Sequence, residues 1–565
     1  MRLQFSQPRR MAGCLANLLL LGASALFALG LAEGAVRLAG IRIADDPFLE
    51  FGRVESFFER INVGGRPHLR FKLIEDDRER DVTFPAVKAP GTFRVFCLGS
   101  SAGAGWPHPA SESYSAYLAN ALRRAFPDRT IEVLNVSVLA YAAYRVRLIF
   151  QQIIDLEPDL VVVYTGNNEF LEKRSYGERD SWHASLARLA DRLVLYRLAR
   201  GSRVGRRLFP ENTFSSENRE HIAYEVWSKI QRLSLWLRKD PEQFSMVQQH
   251  YAFSIRSMAA EARARAVPVI LVTVPVNLRD WRPNVSEQPL SGADLVRWQD
   301  AYRQGRTALV RGEAAAAVEF LANATRLNPE NADSTFFLAR ALEAAGRFAE
   351  AHSAYSRARD LDFNPFRALS SFADIVREIA AGSDHVLCAD AEKAFQSASA
   401  PRAPGFDLFL DYVHPTKRGN LILAKLVFDL LVERRILGTP AATTDFQPLP
   451  SAGAGATAEY ADGADYELQS IVITLSMLMH QHEHAYDLVR PFLDQPENLG
   501  RLNPARAQFV RSVAEVLPRL IAAERAEDDG SPPPPEERAR LDRQLHESYE
   551  RFWGLYETFK EEAGN

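Results

Sequence analysis

Between residues 91 and 274 the apolar positions fall into short unbroken runs at 93–98, 131–135, 160–165 and 267–274. Between them, near 113–125, 143–156 and 246–264, apolar residues recur every three or four positions instead. Unbroken runs of that length predict strands buried on both faces, and the 3.6-residue period predicts helices that cross from one strand to the next. The alternation predicts a doubly wound parallel α/β sheet. The same pattern resumes after a gap, with a helix over 366–381, a strand over 384–388 and a helix over 416–435. Residues 41–90 show no such pattern and predict a charged, irregular juxtamembrane approach ending at Pro85 and Pro90.

The gap has a period of its own. Gly312 and Gly346, Ala317 and Ala351, Ala324 and Ala358, and Leu327 and Leu361 each lie 34 residues apart. That is the tetratricopeptide spacing, with small residues where two helices of a hairpin cross, and it predicts two such hairpins over 296–365. Two repeats are too few to stand alone, so they are expected to lean on the α/β domain or on the tail.

The flanks differ in composition. Arg2, Arg9 and Arg10 precede an uncharged stretch from Met11 to Ala32. A basic end followed by about 20 uncharged residues predicts a single membrane-crossing anchor within 1–40, with the bulk of the chain in the periplasm outside the inner membrane. A cleaved signal peptide is the rival. Residues 170–243 form an insertion rich in Arg and aromatics, among them Trp182, Trp227 and Trp236, which either covers the site or packs on the side of the domain. A linker rich in Ala, Gly, Thr and Pro spans 438–462, and 463–565 alternates as amphipathic helix. The α/β domain is thus expected in two parts, 91–295 and 366–437.

Across its 565 residues the chain carries a net charge of −4 with 47% hydrophobic residues, which predicts several globular domains and no nucleic-acid partner. Its 3 cysteines, Cys14, Cys97 and Cys388, all fall in apolar stretches and are expected as buried thiols. No metal site is expected, since His480, His482 and His484 alternate as exposed helix decoration would.

Chemistry enters where strands break into small polar residues. The run at 93–98 ends in Gly99-Ser100-Ser101, and Leu160–Tyr164 ends in Thr165-Gly166-Asn167-Asn168. Asp411 stands three residues before His414. A hydroxyl, an imidazole, an orienting carboxylate and an amide able to donate to an oxyanion are the components of acyl transfer.

In these blocks and their order the chain resembles the SGNH (GDSL-type) hydrolases, in particular a bacterial membrane-anchored subgroup with inserted tetratricopeptide-like repeats. The resemblance implies an α/β fold of the flavodoxin-like three-layer type, with inserted helical hairpins and a helical C-terminal tail. It implies Ser101 as nucleophile, Asp411 and His414 as acid and base, and Asn168 and the backbone at Ser137 as oxyanion donors, with neither cofactor nor metal. Ser100 stands where the family usually has Asp, and Ser137 where it usually has Gly. The implied activity is that of an extracytoplasmic serine esterase or O-acyltransferase on an ester, O-acetyl among them, of a glycan or related envelope substrate. The alternative is an inactive scaffold or glycan-binding assembly protein on the same fold. The repeats would then be its protein-binding surface.

Overall fold

The structure is a computed structural model that describes residues 8–38, 56–72, 82–171, 193–196, 240–441 except 384, and 481–548 except 503, 529–532 and 546, together with 472, 473 and 476. The expected linker falls almost wholly outside these residues, as does nearly all of the 170–243 insertion. The chain divides into two compact units, one of 1–56 with 174–220 and one of 57–173 with 221–565.

In the first unit, helix α1 (Pro8–Leu38) covers the expected anchor. Among the described residues, however, no helix is long and apolar enough to cross a membrane. This overturns the single-pass inner-membrane placement and the periplasmic location drawn from it. Charge interrupts the apolar stretch at both ends, with Arg9 and Arg10 at the start and Glu33 and Arg37 near the close. Glu33 is committed to protein contacts, accepting from Arg37 Nε at 2.8 Å and from the Val194 and Leu195 N–H groups at 2.8 and 3.0 Å.

The second unit opens on a small antiparallel sheet in a region expected to be irregular. Strands β1 (Phe58–Val63) and β2 (Arg66–Phe71) form a hairpin, and β3 (Thr83–Pro85) adds to β2. Gly64 and Gly65 make the two-residue turn with φ of 59° and 81°. Two positive values in succession match the mirror-image turn that suits the twist of a hairpin.

The main sheet has five parallel strands: β4 (Thr92–Gly99), β5 (Thr130–Asn135), β6 (Leu160–Tyr164), β7 (Val269–Val272) and β8 (Val386–Ala389). Their order is β5-β4-β6-β7-β8, so the winding direction reverses beside β4. Val95 pairs with Val133 on one side and Leu160 on the other. Every residue of β4, β6 and β7 is buried, which is why these strands show no alternation in sequence.

Helices complete the layers. A short helix, α2 (Ser101–Ala104), follows β4, and α3 (Tyr114–Ala125) and α4 (Ala143–Ile153) follow in turn. Then come α5 (Pro241–Ala264), the repeat helices α6 (Gly292–Val310), α7 (Ala314–Leu327), α8 (Ala332–Ala344) and α9 (Phe348–Leu361), and α10 (Ser370–Ala381). Last are α11 (Ala391–Ser399), α12 (Lys417–Glu433), α13 (His482–Asp494) and α14 (Pro504–Asp528). Helix α3 packs on α12, while α5 packs on α4 and α10, giving the three-layer arrangement.

The repeats follow their spacing closely. Gly312 and Gly346 both take φ of 73° just beyond α6 and α8, and Ala317, Ala324, Ala351 and Ala358 are buried where the helices cross. In the tail, α13 and α14 share an apolar core formed by Leu488, Val489, Phe492, Val510, Val513 and Leu517. Leu410, from the loop before α12, is part of that same core.

Candidate active site

The winding reverses beside β4, and its carboxyl end is the place where open α/β sheets bind ligands. There β4 gives way to α2 through Ser100, and Ser101 begins the helix. Close approach dictates the glycines. A Cβ on Gly99 would lie 2.3 Å from the Tyr164 carbonyl oxygen, and one on Gly105, whose φ is 79°, would lie 2.4 Å from Ser113 Cβ. Glycine lets the turn sit against both β6 and the start of α3. Ser100 is buried and Ser101 half-buried, so of the two serines the second is the more exposed.

His414 comes to this hydroxyl from 313 residues away, with Nε2 at 2.8 Å from Ser101 Oγ. Its Nδ1 lies 2.6 Å from Asp411 Oδ2. An ionised carboxylate can only accept, so the imidazole proton belongs on Nδ1 and the Nε2 lone pair receives the Ser101 O–H. Asp411 is fully buried, and its other oxygen accepts the N–H groups of Val413 and His414 at 2.8 Å each. The three-residue spacing is what permits this, because a tight turn brings the imidazole back over the carboxyl that caps it.

The loop around this pair is closed. The Leu410 N–H donates to the His414 carbonyl at 2.8 Å, Phe409 and Pro415 form an antiparallel bridge, and the Thr416 N–H donates to the Leu408 carbonyl at 2.9 Å. His108 Nε2 donates to the Pro415 carbonyl at 3.0 Å. Trp106, half-buried, sets its ring edge-to-face on the His414 imidazole with centroids 4.7 Å apart.

Two amides reinforce the frame, and sequence reasoning singled out neither. Asn277, fully buried beyond β7, donates from its backbone to the Tyr412 carbonyl and from Nδ2 to the Asp411 carbonyl, both at 3.0 Å. Asn135, the last residue of β5, donates from Nδ2 to the Gly103 carbonyl at 3.0 Å and to Ser115 Oγ at 2.8 Å, and accepts the Ser137 N–H at 3.1 Å. Each stands at or just past the carboxyl end of an apolar run, as Asn168 does. That position was a usable signal.

The two expected oxyanion groups sit as follows. Asn168 is buried and donates from Nδ2 to the Tyr141 carbonyl at 3.2 Å, which uses one of its two N–H groups there. The Ser137 N–H is turned to Asn135, and the buried Ser137 hydroxyl has no hydrogen-bond partner among the described residues. That hydroxyl lies against the nucleophile turn, 3.0 Å from where a Cβ on Gly103 would be. Cys97, four residues before Ser101, is no competing nucleophile, because burial pushes its thiol up to about 12.

The histidines of the tail are not exposed decoration. His482 is buried with Nδ1 at 2.8 Å from Glu524 Oε1, and His484 Nε2 meets the Leu410 carbonyl at 3.2 Å, so the two serve different partners. His480 lies outside the described residues.

Sheet order, three layers and the Ser-His-Asp geometry together make this a fold of the SGNH hydrolase type. Residues 308–371 match the tetratricopeptide repeat family. No curated protein sequence matches the chain. Similar solved structures include Axe2, an acetylxylan esterase from Geobacillus stearothermophilus, at 14% identity and a TM-score of 0.26 over 61% of this chain and 95% of that one. Another is LAE5, an alpha/beta hydrolase enzyme from the metagenome of Lake Arreo, Spain, at 14% identity and a TM-score of 0.27 over 63% and 99%. A third is TesA, at 13% identity and a TM-score of 0.24 over 60% and 97%.

Proposed function

We propose that the chain is a serine esterase that works through an acyl-enzyme on Ser101. The observation that carries this reading is the continuous relay from Ser101 Oγ through His414 to Asp411, with links of 2.8 and 2.6 Å. In the first half-reaction Ser101 Oγ bonds to the acyl carbon while its proton passes to His414 Nε2. The ester C–O bond then breaks, and His414 returns that proton to the departing alkoxide. In the second half-reaction a water or a sugar hydroxyl attacks the acyl carbon, gives its proton to His414, and Ser101 leaves with the proton restored. Asp411 stays ionised throughout and steadies the imidazolium.

Asn168 Nδ2 supplies a donor for the oxyanion. The Ser137 N–H is engaged by Asn135, so the role we assign to Ser137 in the resting site is to hold its loop beside the nucleophile turn. For the substrate we favour an acylated glycan, O-acetyl esters first. The half-buried Trp106 ring next to His414 supports that choice, as an aromatic platform on which a sugar face can stack. The repeats are proposed as a protein-binding surface.

Turnover of p-nitrophenyl acetate by the full chain tests the reading, with Ser101→Ala as the comparison. Equal rates would end it. Product analysis with an acetylated oligosaccharide, with and without an acceptor sugar, separates hydrolysis from transfer.

A further inference from the structure

Three consecutive carbonyls of the loop that carries Asp411 and His414 are gripped from outside it. Asn277 takes the carbonyls of Asp411 and Tyr412. The remaining one, that of Leu410, accepts from His484 Nε2 at 3.2 Å. His484 lies on α13, in the tail, 74 residues beyond Leu410.

The contact is built from several sides. The His484 imidazole stacks on Phe406 with centroids 3.7 Å apart and 12° between planes, and meets the edge of Trp281 at 6.2 Å. Trp281, fully buried, in turn lies 5.4 Å from Tyr412, so the ring cluster reaches into the turn between Asp411 and His414. Leu410 is itself fully buried in the core that α13 and α14 form. The residue immediately before the Asp411 carboxylate therefore ties two parts of this unit together, its side chain packed into the tail core and its backbone closing the turn.

We propose that His484 is a positioning residue for the reaction, which fixes the Leu410 carbonyl and through it the placement of the Asp411 carboxylate under His414 Nδ1. The proposal rests on the esterase reading and gives the C-terminal helices a part in it. A donor is required here. If His484 lost its N–H, the Leu410 carbonyl would be left unpaired in a closed loop, a cost that a shift of the turn would relieve. Misplacement by a fraction of an ångström is enough to slow a relay of this kind severalfold. Burial pushes the His484 imidazole down to about 4, so it stays the neutral donor while it faces Asp411 and Asp280.

The test compares full-length wild type, His484→Leu, His484→Gln and His482→Gln by steady-state kinetics and by amide hydrogen exchange. The Leu410, Val413 and His414 amides are the reporters, because they donate to the His414 carbonyl and to the Asp411 carboxylate. His484→Leu should lower kcat about tenfold or more with KM within about twofold, and should speed exchange at these three amides by about tenfold. His484→Gln, which restores an N–H donor, should recover most of both. His482→Gln disturbs α13 through Glu524 and should leave the three amides protected. Should His484→Leu fail to fold, His484→Met takes its place. Unchanged kcat and exchange in the variant without the donor would overturn the proposal, as would an equal effect from His482→Gln. Absence of turnover in wild type would instead sink the esterase reading, and the exchange data would still decide whether His484 holds the loop.

Discussion

Ser101 Oγ and His414 Nε2 stand 2.8 Å apart across 313 residues of chain, and that stretch includes all of the inserted repeats. A hydroxyl and an imidazole meet this way in a folded interior only if both backbones are fixed. Here the fixing is visible on each side, with Gly99 and Gly105 shaping one turn and Asp411, Asn277 and Thr416 the other.

On the proposed mechanism, replacing Ser101 by Ala removes the atom that takes up the acyl group. Turnover of p-nitrophenyl acetate should fall by about four orders of magnitude or more, since nucleophile loss in a Ser/His/Asp site costs that much. Ser100→Ala should fall by less than about tenfold, because the buried Ser100 hydroxyl does not enter the relay. A comparable loss in both variants would show that the nucleophile is wrongly assigned.

His414→Gln keeps a similar volume but cannot carry a proton between Ser101 and the leaving group. The expected result is loss of nearly all turnover, with a melting temperature within a few degrees of wild type. Near-wild-type turnover would make the Asp411/His414 pair structural, and unfolding would say the same.

Gly99→Ala tests the turn and not the chemistry. The added Cβ would sit 2.3 Å from the Tyr164 carbonyl oxygen, which is backbone and cannot swing aside. Either β4 and β6 separate at their ends, costing about 1–3 kcal/mol or more, or the Ser101 turn shifts and activity falls with little loss of stability. Thermal melts and kinetics on one preparation distinguish the two. Wild-type values in both would show that the approach is looser than the structure has it.

The sheet was legible because its inner strands β4, β6 and β7 are buried on both faces and leave almost wholly apolar runs, and the repeats because a 34-residue spacing requires only small residues at the crossings. Ser101 and Asn168 stood out as polar breaks at the ends of such runs, and Asp411 and His414 as a carboxylate and an imidazole three residues apart. The antiparallel hairpin escaped notice because its strands are partly exposed and mix Arg, Glu and His among the apolar residues, although Gly64-Gly65 announces the turn. The anchor was misread from three arginines followed by an uncharged run of about membrane-crossing length, and the use of Glu33 as an acceptor for Val194 and Leu195 has no local signature. The same holds for Leu410 and His484. Contacts between segments 74 residues apart depend on the fold, and nothing in either stretch declares them.

The half-buried His484 imidazole of the tail leads to a pH dependence of stability with a definite sign. Desolvation drives His484 down from 6.5 to about 4, opposed by its bond to the Leu410 carbonyl and by the charges of Asp411 and Asp280. The folded chain therefore keeps this ring neutral where the unfolded chain would protonate it. Its contribution to stability is fully present above about pH 6.5 and is lost progressively as the pH falls toward 4, by about 3 kcal/mol at most. Chemical denaturation of wild type between pH 7.5 and pH 4 should show falling stability, and His484→Gln, which has nothing to titrate, should show a shallower fall over the same interval. Identical slopes would mean that His484 is solvated enough to protonate in the native state. The Leu410 carbonyl would then accept from an imidazolium N–H at acid pH, so the contact between α13 and the loop before α12 would persist while desolvation no longer set the pH dependence.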